Sequence, residues 1–230
     1  MTADSFNTNA LQYHAELQQG LRLSGESACY FAEHRIDSTV RISDKSLSRP
    51  VSNVLDYGCG VGSAIPFLVK GFPSARIYGS DIASEAVRVA SLTHQHPRLQ
   101  FVVDMARIQP ESIDLVYCNG VFHHIPANER QDCLAQIGNC LQRGGLFCLW
   151  ENHPWNPGTQ WVMRNIPFDR DAKCLSPIES RRRMRASGFD VLTTEYHFFF
   201  PRSLRVFRRF ERRMRYVPIG AQYVVVGQKR

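Results

Sequence analysis

The chain is predicted to fold as an α/β domain around a mostly parallel sheet, and two observations predict it. Short apolar segments of strand length alternate with longer segments of helical periodicity, the pattern of a sheet covered on both faces. The first of those segments also runs directly into a glycine-rich turn, at the strand end where open sheets of this kind bind ligands. With 230 residues, 43% of them hydrophobic and 21% charged, the chain can bury one large core, and disorder is not the default.

Taken in order, residues 8–36 read as one or two helices ahead of the sheet. Strands are expected at 53–57, 76–80, 99–103, 113–118 and 146–150, with two more near 191–200 and 223–226. Helices are expected between them near 64–70, 84–93, 128–141 and 177–186. Gly144 and Gly145 are expected to end the third, where a positive φ is favoured. Residues 152–176, with Pro154, Pro157 and Pro167, read as an insertion after the fifth strand. No repeat, low-complexity tract or linker divides residues 1–230, so one domain is expected: a helical cap over 1–50, a core over 51–150, and the insertion and final strands over 151–230.

No apolar run approaches the roughly 18 residues of a bilayer span, and residues 1–20 lack the basic start and apolar stretch of a signal peptide. A cytoplasmic protein is expected. Seven cysteines, odd in number, scattered and without a CxxC pair, point to reduced thiols rather than disulfides. Neither they nor the histidines have the spacing of metal ligands, so no metal site is expected.

The net charge of +7 is uneven: residues 160–230 hold 16 Lys/Arg against 6 Asp/Glu, leaving 12 against 15 in residues 1–159. Within the basic third, residues 201–217 space Leu204, Phe207, Phe210, Met214 and Val217 three and four apart, with seven arginines among them. That pattern predicts an amphipathic helix. Three readings stay open for it: an outer helix covering the sheet, a helix lying on an anionic membrane or near a lipid-linked substrate, or a surface for RNA phosphates. Arg181, Arg182 and Arg183 read as helix surface.

The chemistry concentrates at strand ends. Val54-Leu55-Asp56-Tyr57-Gly58-Cys59-Gly60-Val61-Gly62 is an apolar strand entering a D-x-G-x-G-x-G turn. Glycines let the backbone bend sharply and a ligand approach closely. A dinucleotide fingerprint would place its third glycine five residues after the first; here the interval is four and an aspartate precedes it. That carboxylate suits a cationic ligand better than a pyrophosphate, which argues against an NAD-linked oxidoreductase. Asp81 ends the second strand, where an acidic side chain can accept both ribose hydroxyls. Asp104 ends the third, where it either meets an adenine amine or caps a helix. Together the three aspartates point to a nucleoside ligand.

Across roughly residues 50–150 the arrangement resembles the class I S-adenosylmethionine (SAM)-dependent methyltransferases, with Asp56, Gly58, Gly60 and Gly62 matching their first motif. The run Ile113-Asp114-Leu115-Val116-Tyr117-Cys118-Asn119-Gly120-Val121-Phe122-His123-His124-Ile125-Pro126 resembles their fourth strand and following loop, and Gly144-Gly145-Leu146-Phe147 the turn entering the fifth. The resemblance implies a Rossmann-like seven-stranded sheet with an N-terminal helical lid and SAM as cofactor. It implies that the glycine turn holds the methionine part of SAM and Asp81 the ribose. Ile82, Met105 and Asn119 join the expected cofactor set, as do Tyr13 and Arg35 of the N-terminal lid, Arg35 pairing with the SAM carboxylate or standing on the surface.

SAM presents electrophilic carbons on a sulfonium, so alignment of a nucleophile and exclusion of water are the protein's main tasks. For a hydroxyl nucleophile the candidate bases are His123 and His153, then His124, which can instead orient the turn before Pro126. Residues 151–172 are similar to a bacterial methyltransferase subgroup with E-H-N-P-x-N-P and P-F-D-x-D-A segments, although Asn152-His153 reverses the usual order here. Trp155, Trp161 and Phe168 either line a pocket over the sulfonium or serve as ordinary core. The expected activity is transfer of a methyl group to oxygen or nitrogen of a small molecule. Two alternatives stand beside it: attack at the aminocarboxypropyl carbon, releasing methylthioadenosine, as in ring closure to azetidine-2-carboxylate; and a non-catalytic SAM- or RNA-binding module. Nucleic acid is the less expected partner, because Asn119-Gly120-Val121-Phe122 differs from the [DNS]-P-P-[FYW] box of amine-directed relatives.

Overall fold

The computed structural model describes residues 25–166 and 172–230. Seven strands form its sheet: β1 (Asn53–Tyr57), β2 (Arg76–Ser80), β3 (Leu99–Val102), β4 (Ile113–Asn119), β5 (Leu141–Asn152), β6 (Phe189–His197) and β7 (Gln222–Lys229). Their order is β3-β2-β1-β4-β5-β7-β6. The first five run parallel, and β7 inserts antiparallel between β5 and β6. This is the expected α/β class with its seven strands. The parallel strands are linked by α2 (Ile65–Gly71), α3 (Ser84–Thr93) and α4 (Arg130–Cys140), while α1 (Ala28–Ser46) precedes the sheet and α5 (Pro157–Asn165) and α6 (Pro177–Ala186) follow β5.

Central strands of such a sheet are apolar on both faces because both are covered. In β4, Val116 and Cys118 join one buried cluster with Leu55, Phe122 and Phe147. Their neighbours Leu115 and Tyr117 join the other with Val54, Leu146 and Trp150. The period-two alternation of side chains thus divides one strand between two cores.

Three elements differ from expectation. First, α1 continues ten residues beyond 36, to Ser46. Its buried face includes Ser38, Thr39 and Ser43, whose polarity hid the helical stripe. The hydroxyls of Thr39 and Ser43 donate to the Arg35 and Val40 carbonyls at 2.9 and 2.8 Å. The part of the expected N-terminal helix before residue 25 lies outside the described residues. Second, Gly144 and Gly145 do not end α4, which stops at Cys140. Leu141 already pairs with Ile113, and the chain bulges before Leu146 takes up Leu115. Gly145 fits this bulge because a Cβ there would stand 2.9 Å from the Gln142 carbonyl oxygen.

Third, the arginine-rich segment is not one α-helix. Residues Arg202–Phe210 form 3-10 turns with a kink at Leu204, followed by a single α-helical turn, α7 (Glu211–Met214). With three residues per turn, a spacing of three aligns Leu204, Phe207 and Phe210 on one side. That side does not cover the sheet: the three are 43%, 44% and 39% exposed. The segment is held by polar bonds instead, with Arg208 donating to the Phe200 carbonyl at 3.2 Å and to Glu26 at 2.9 Å.

All seven cysteines are free thiols. Among the described residues no helix is long and apolar enough to cross a membrane.

Helix α1 docks on the sheet through buried polar bonds. Trp150 Nε1 donates to Thr39 Oγ1 at 3.1 Å, and Arg35 Nε donates to the Tyr117 hydroxyl at 3.1 Å. Thr39→Val strands the buried indole N–H, so chemical denaturation is expected to find the variant less stable by about 1–3 kcal/mol. A change below about 0.5 kcal/mol contradicts this account of the docking.

Candidate active site

The turn after β1 is shaped by its glycines. Gly58, Gly60 and Gly62 all have positive φ, at 74°, 53° and 84°. A Cβ at Gly58 would stand 2.3 Å from a Val121 methyl, and one at Gly62 2.6 Å from the His94 ring, whereas at Gly60 it would meet nothing within 4 Å. The outer two glycines therefore let the turn pack, and the middle one opens onto a cleft.

That cleft has a volume of about 890 Å³, within the range of small-molecule sites. It lies at the carboxyl ends of β1 to β4. Asp56, Gly58, Gly60, Asp81, Ile82, Asp104, Met105, Asn119 and Arg35 all line it, as does His124. Gly62 does not; it sits behind the turn against His94. Tyr13 lies outside the described residues.

The acidic groups differ in their surroundings. Asp81 accepts from the Gly60 and Ala83 N–H groups at 2.8 and 2.9 Å. Burial raises its carboxyl pKa, and those backbone bonds oppose the rise. Asp104 accepts from the Ala106 N–H at 2.8 Å and caps the 3-10 turn Met105–Arg107, so it combines the cap with a position on the cleft. Asp56 is only 3% exposed, and its Oδ2 has no hydrogen-bond partner among the described residues. Burial, and then repulsion from Asp81, push its carboxyl up to about 7, with Arg35 pulling the other way. An unmet buried acceptor beside a second carboxylate fits a cationic ligand.

The histidines sort differently from expectation. His123 is buried, its Nδ1 2.6 Å from Glu151 Oε2, while Glu151 Oε1 accepts from the Phe122 N–H at 2.9 Å. His153 is fully buried, Nδ1 lying 3.0 Å from the Gly220 carbonyl oxygen. Neither lines the cleft, because each is spent on fixing the loop after its strand; His124 does line it. Trp155 and Trp161 are 56% and 46% exposed and stand away from the cleft, and Phe168 lies outside the described residues. Sequence reasoning overlooked Tyr117, whose hydroxyl accepts from Arg35, and a wall formed by Glu129, Cys133 and Gln136. Their i, i+4, i+7 spacing is the signal that marks this wall as one helical face.

A strand order with an antiparallel seventh strand, a glycine turn after β1 and carboxylates closing β1 to β3 define the fold of the class I SAM-dependent methyltransferase family, and the chain has that fold. Residues 54–145 match its "Methyltransferase domain". The trans-aconitate 2-methyltransferase of Variovorax paradoxus is 28% identical over 156 residues, covering 65% of this chain and 58% of that one. The ubiquinone biosynthesis O-methyltransferase of Albidiferax ferrireducens is 39% identical over 157 residues, 61% of each chain. A crystal structure of magnesium protoporphyrin IX methyltransferase from Synechocystis, with bound SAH, has a TM-score of 0.67 at 19% identity, covering 99% of this chain and 97% of that one; the likeness is one of fold. The chain spans about half the length of the curated relatives it matches, 58%, 38% and 45% for three trans-aconitate 2-methyltransferases.

The raised Asp56 carboxyl has a consequence for stability. Its folded pKa of about 7 lies above the ordinary 3.8, so the folded state holds this proton more tightly than the unfolded one. Its contribution is fully present below about pH 4 and is lost as pH rises through 7. Asp56→Asn is expected to remove that loss, so ligand-free melting temperatures of variant and wild type should diverge between pH 5 and 8, the variant standing higher at pH 8. Parallel curves count against the buried charge.

Proposed function

We propose that this chain transfers the methyl group of SAM to a small-molecule acceptor through oxygen or nitrogen. The observation that carries the reading is the buried, unmet Oδ2 of Asp56 beside the open face of Gly60. When bound, SAM supplies a methyl group made electrophilic by the sulfonium. Asp56 meets the positive charge of its amino-acid part, and Gly60 lets the backbone approach it without a side chain in the way. Asp81 accepts the ribose hydroxyls, which compete there with the Gly60 N–H. Ile82, Asp104 and Met105 surround the base, and Asn119 closes the cleft at the end of β4. Among the described residues, the guanidinium of Arg35 is the cation on the cleft wall available to a carboxylate.

Among the described residues His124 is the histidine of the cleft, so it takes the role of base for a hydroxyl acceptor. An oxygen acceptor is favoured by the O-methyltransferase among the relatives. The arginines of residues 201–217 and their exposed apolar neighbours suit approach to an anionic membrane surface.

Calorimetric titration is expected to give micromolar binding of SAM that Asp81→Ala weakens about tenfold or more, the loss of hydrogen bonds from a charged acceptor. A folded protein that binds neither SAM nor its demethylated product sinks the reading. Chromatography of SAM incubated with candidate acceptors should then yield S-adenosylhomocysteine. Methylthioadenosine formed without any acceptor instead assigns attack at the aminocarboxypropyl carbon, and salt-sensitive RNA binding without turnover assigns a binding module. For a hydroxyl acceptor, His124→Gln should lower kcat about 100-fold or more while leaving SAM affinity within a factor of about two. An unchanged kcat removes the base role.

A further inference from the structure

Helix α1 has two working faces. Ala28, Ala32 and Arg35 line the cofactor cleft. On the opposite side of the helix, Tyr30, His34, Ser38 and Arg41 line a second cavity of about 230 Å³, closed by β6 and the arginine-rich segment. The helix wall keeps this cavity apart from the cofactor.

Four guanidiniums reach it: Arg41 from α1, and Arg208, Arg212 and Arg215 from the segment after β6. Two are committed. Arg41 pairs with both carboxylate oxygens of Glu195, and Arg208 pairs with Glu26 at 2.9 Å. The other two keep donors in reserve. Arg212 makes no hydrogen bond or ion pair among the described residues, and the buried Arg215 Nε has no hydrogen-bond partner there, Glu195 standing 4.0 Å away.

The buried His197 adds a further polar atom. Its Nδ1 lies 3.2 Å from His34 Nε2, while its Nε2 has no hydrogen-bond partner among the described residues, Glu195 being 3.7 Å away. Glu211, the one carboxylate on the cavity wall among the described residues, accepts from the Phe199 and Phe200 N–H groups at 3.1 and 3.0 Å. Burial first, and then nearby positive charge, hold His34 and His197 down to about 4 and 3.

Donors converging from the segment and from β6 suit an anion that accepts in several directions. A tetrahedral phosphate does so, whereas a carboxylate offers one planar edge. The volume is below the roughly 300 Å³ at which sites for drug-sized ligands begin, so it suits a single phosphate group rather than a nucleotide. On the same segment Val206, Phe207 and Tyr216 are exposed, ready to enter a bilayer interface beside a headgroup.

We propose that this cavity binds a phosphate group, of a free phosphoester or of a lipid headgroup, through Arg212, Arg215 and His197. The site stands independently of methyl transfer. The test titrates inorganic phosphate and pyrophosphate into the full chain, with acetate as the planar comparison, and sediments the chain with phosphatidylcholine vesicles with or without phosphatidic acid. Binding of phosphate or of phosphatidic acid vesicles, weakened about tenfold or more by Arg212→Glu with SAM affinity unchanged, is the expected result. Binding of free phosphate assigns a soluble ester, and binding confined to the acidic vesicles assigns a headgroup; either supports the site. Failure of folded wild type to bind both overturns it, as does acetate binding as tightly as phosphate, or binding that survives Arg212→Glu. Arg212→Gln makes the same comparison if the charge reversal unfolds the chain.

Discussion

A carboxylate that is buried and half unsatisfied is the constraint on which the rest of this structure depends. Asp56 ends β1, a strand flanked by β2 and β4 in the middle of the parallel sheet, and a charge there is taken from water without a full set of partners. Such a group either keeps its proton or finds a cation. Its surroundings leave both outcomes open. Asp81 on the neighbouring strand opposes ionisation, and Arg35 from α1 favours it. The glycine turn then exposes backbone rather than side chains beside this carboxylate, which leaves room in the cleft for a cationic ligand.

The helix that supplies Arg35 is consequently part of the site. Besides the packing of Ile36 and Ile42 in the core, it is held on the sheet by polar bonds, through Thr39 with Trp150 and Arg35 with Tyr117 and Gln222. These bonds orient the guanidinium better than apolar packing alone, because they are directional. The same helix turns its other side to the arginine-rich segment, so one element carries positive charge toward two cavities. Buried polar clusters elsewhere serve a similar positioning purpose. Glu151 joins His123 and the Phe122 N–H, which fixes the loop after β4 and directs His124, the next residue, to the cleft.

Much of this was legible in the sequence. The alternation of apolar strands with helices, the aspartates at three strand ends and the spacing of Gly58, Gly60 and Gly62 are local facts, each tied to backbone geometry within a few residues. They determined the α/β class, the seven strands and the strand-end residues of the cleft, Asp56, Gly58, Gly60, Asp81 and Asp104. What the tertiary structure alone decided is which side chains meet others far along the chain. His123, His124 and His153 look alike as loop histidines, and only Glu151 and the Gly220 carbonyl separate those committed to scaffolding from the one beside the cleft. The spacing of residues 204–217 predicted one amphipathic helix, whereas the segment forms 3-10 turns with polar contacts to Phe200 and Glu26 that periodicity does not reveal. Local pattern records how a segment can bend and which face it would bury, whereas partnership across the fold sets what each polar group is free to do.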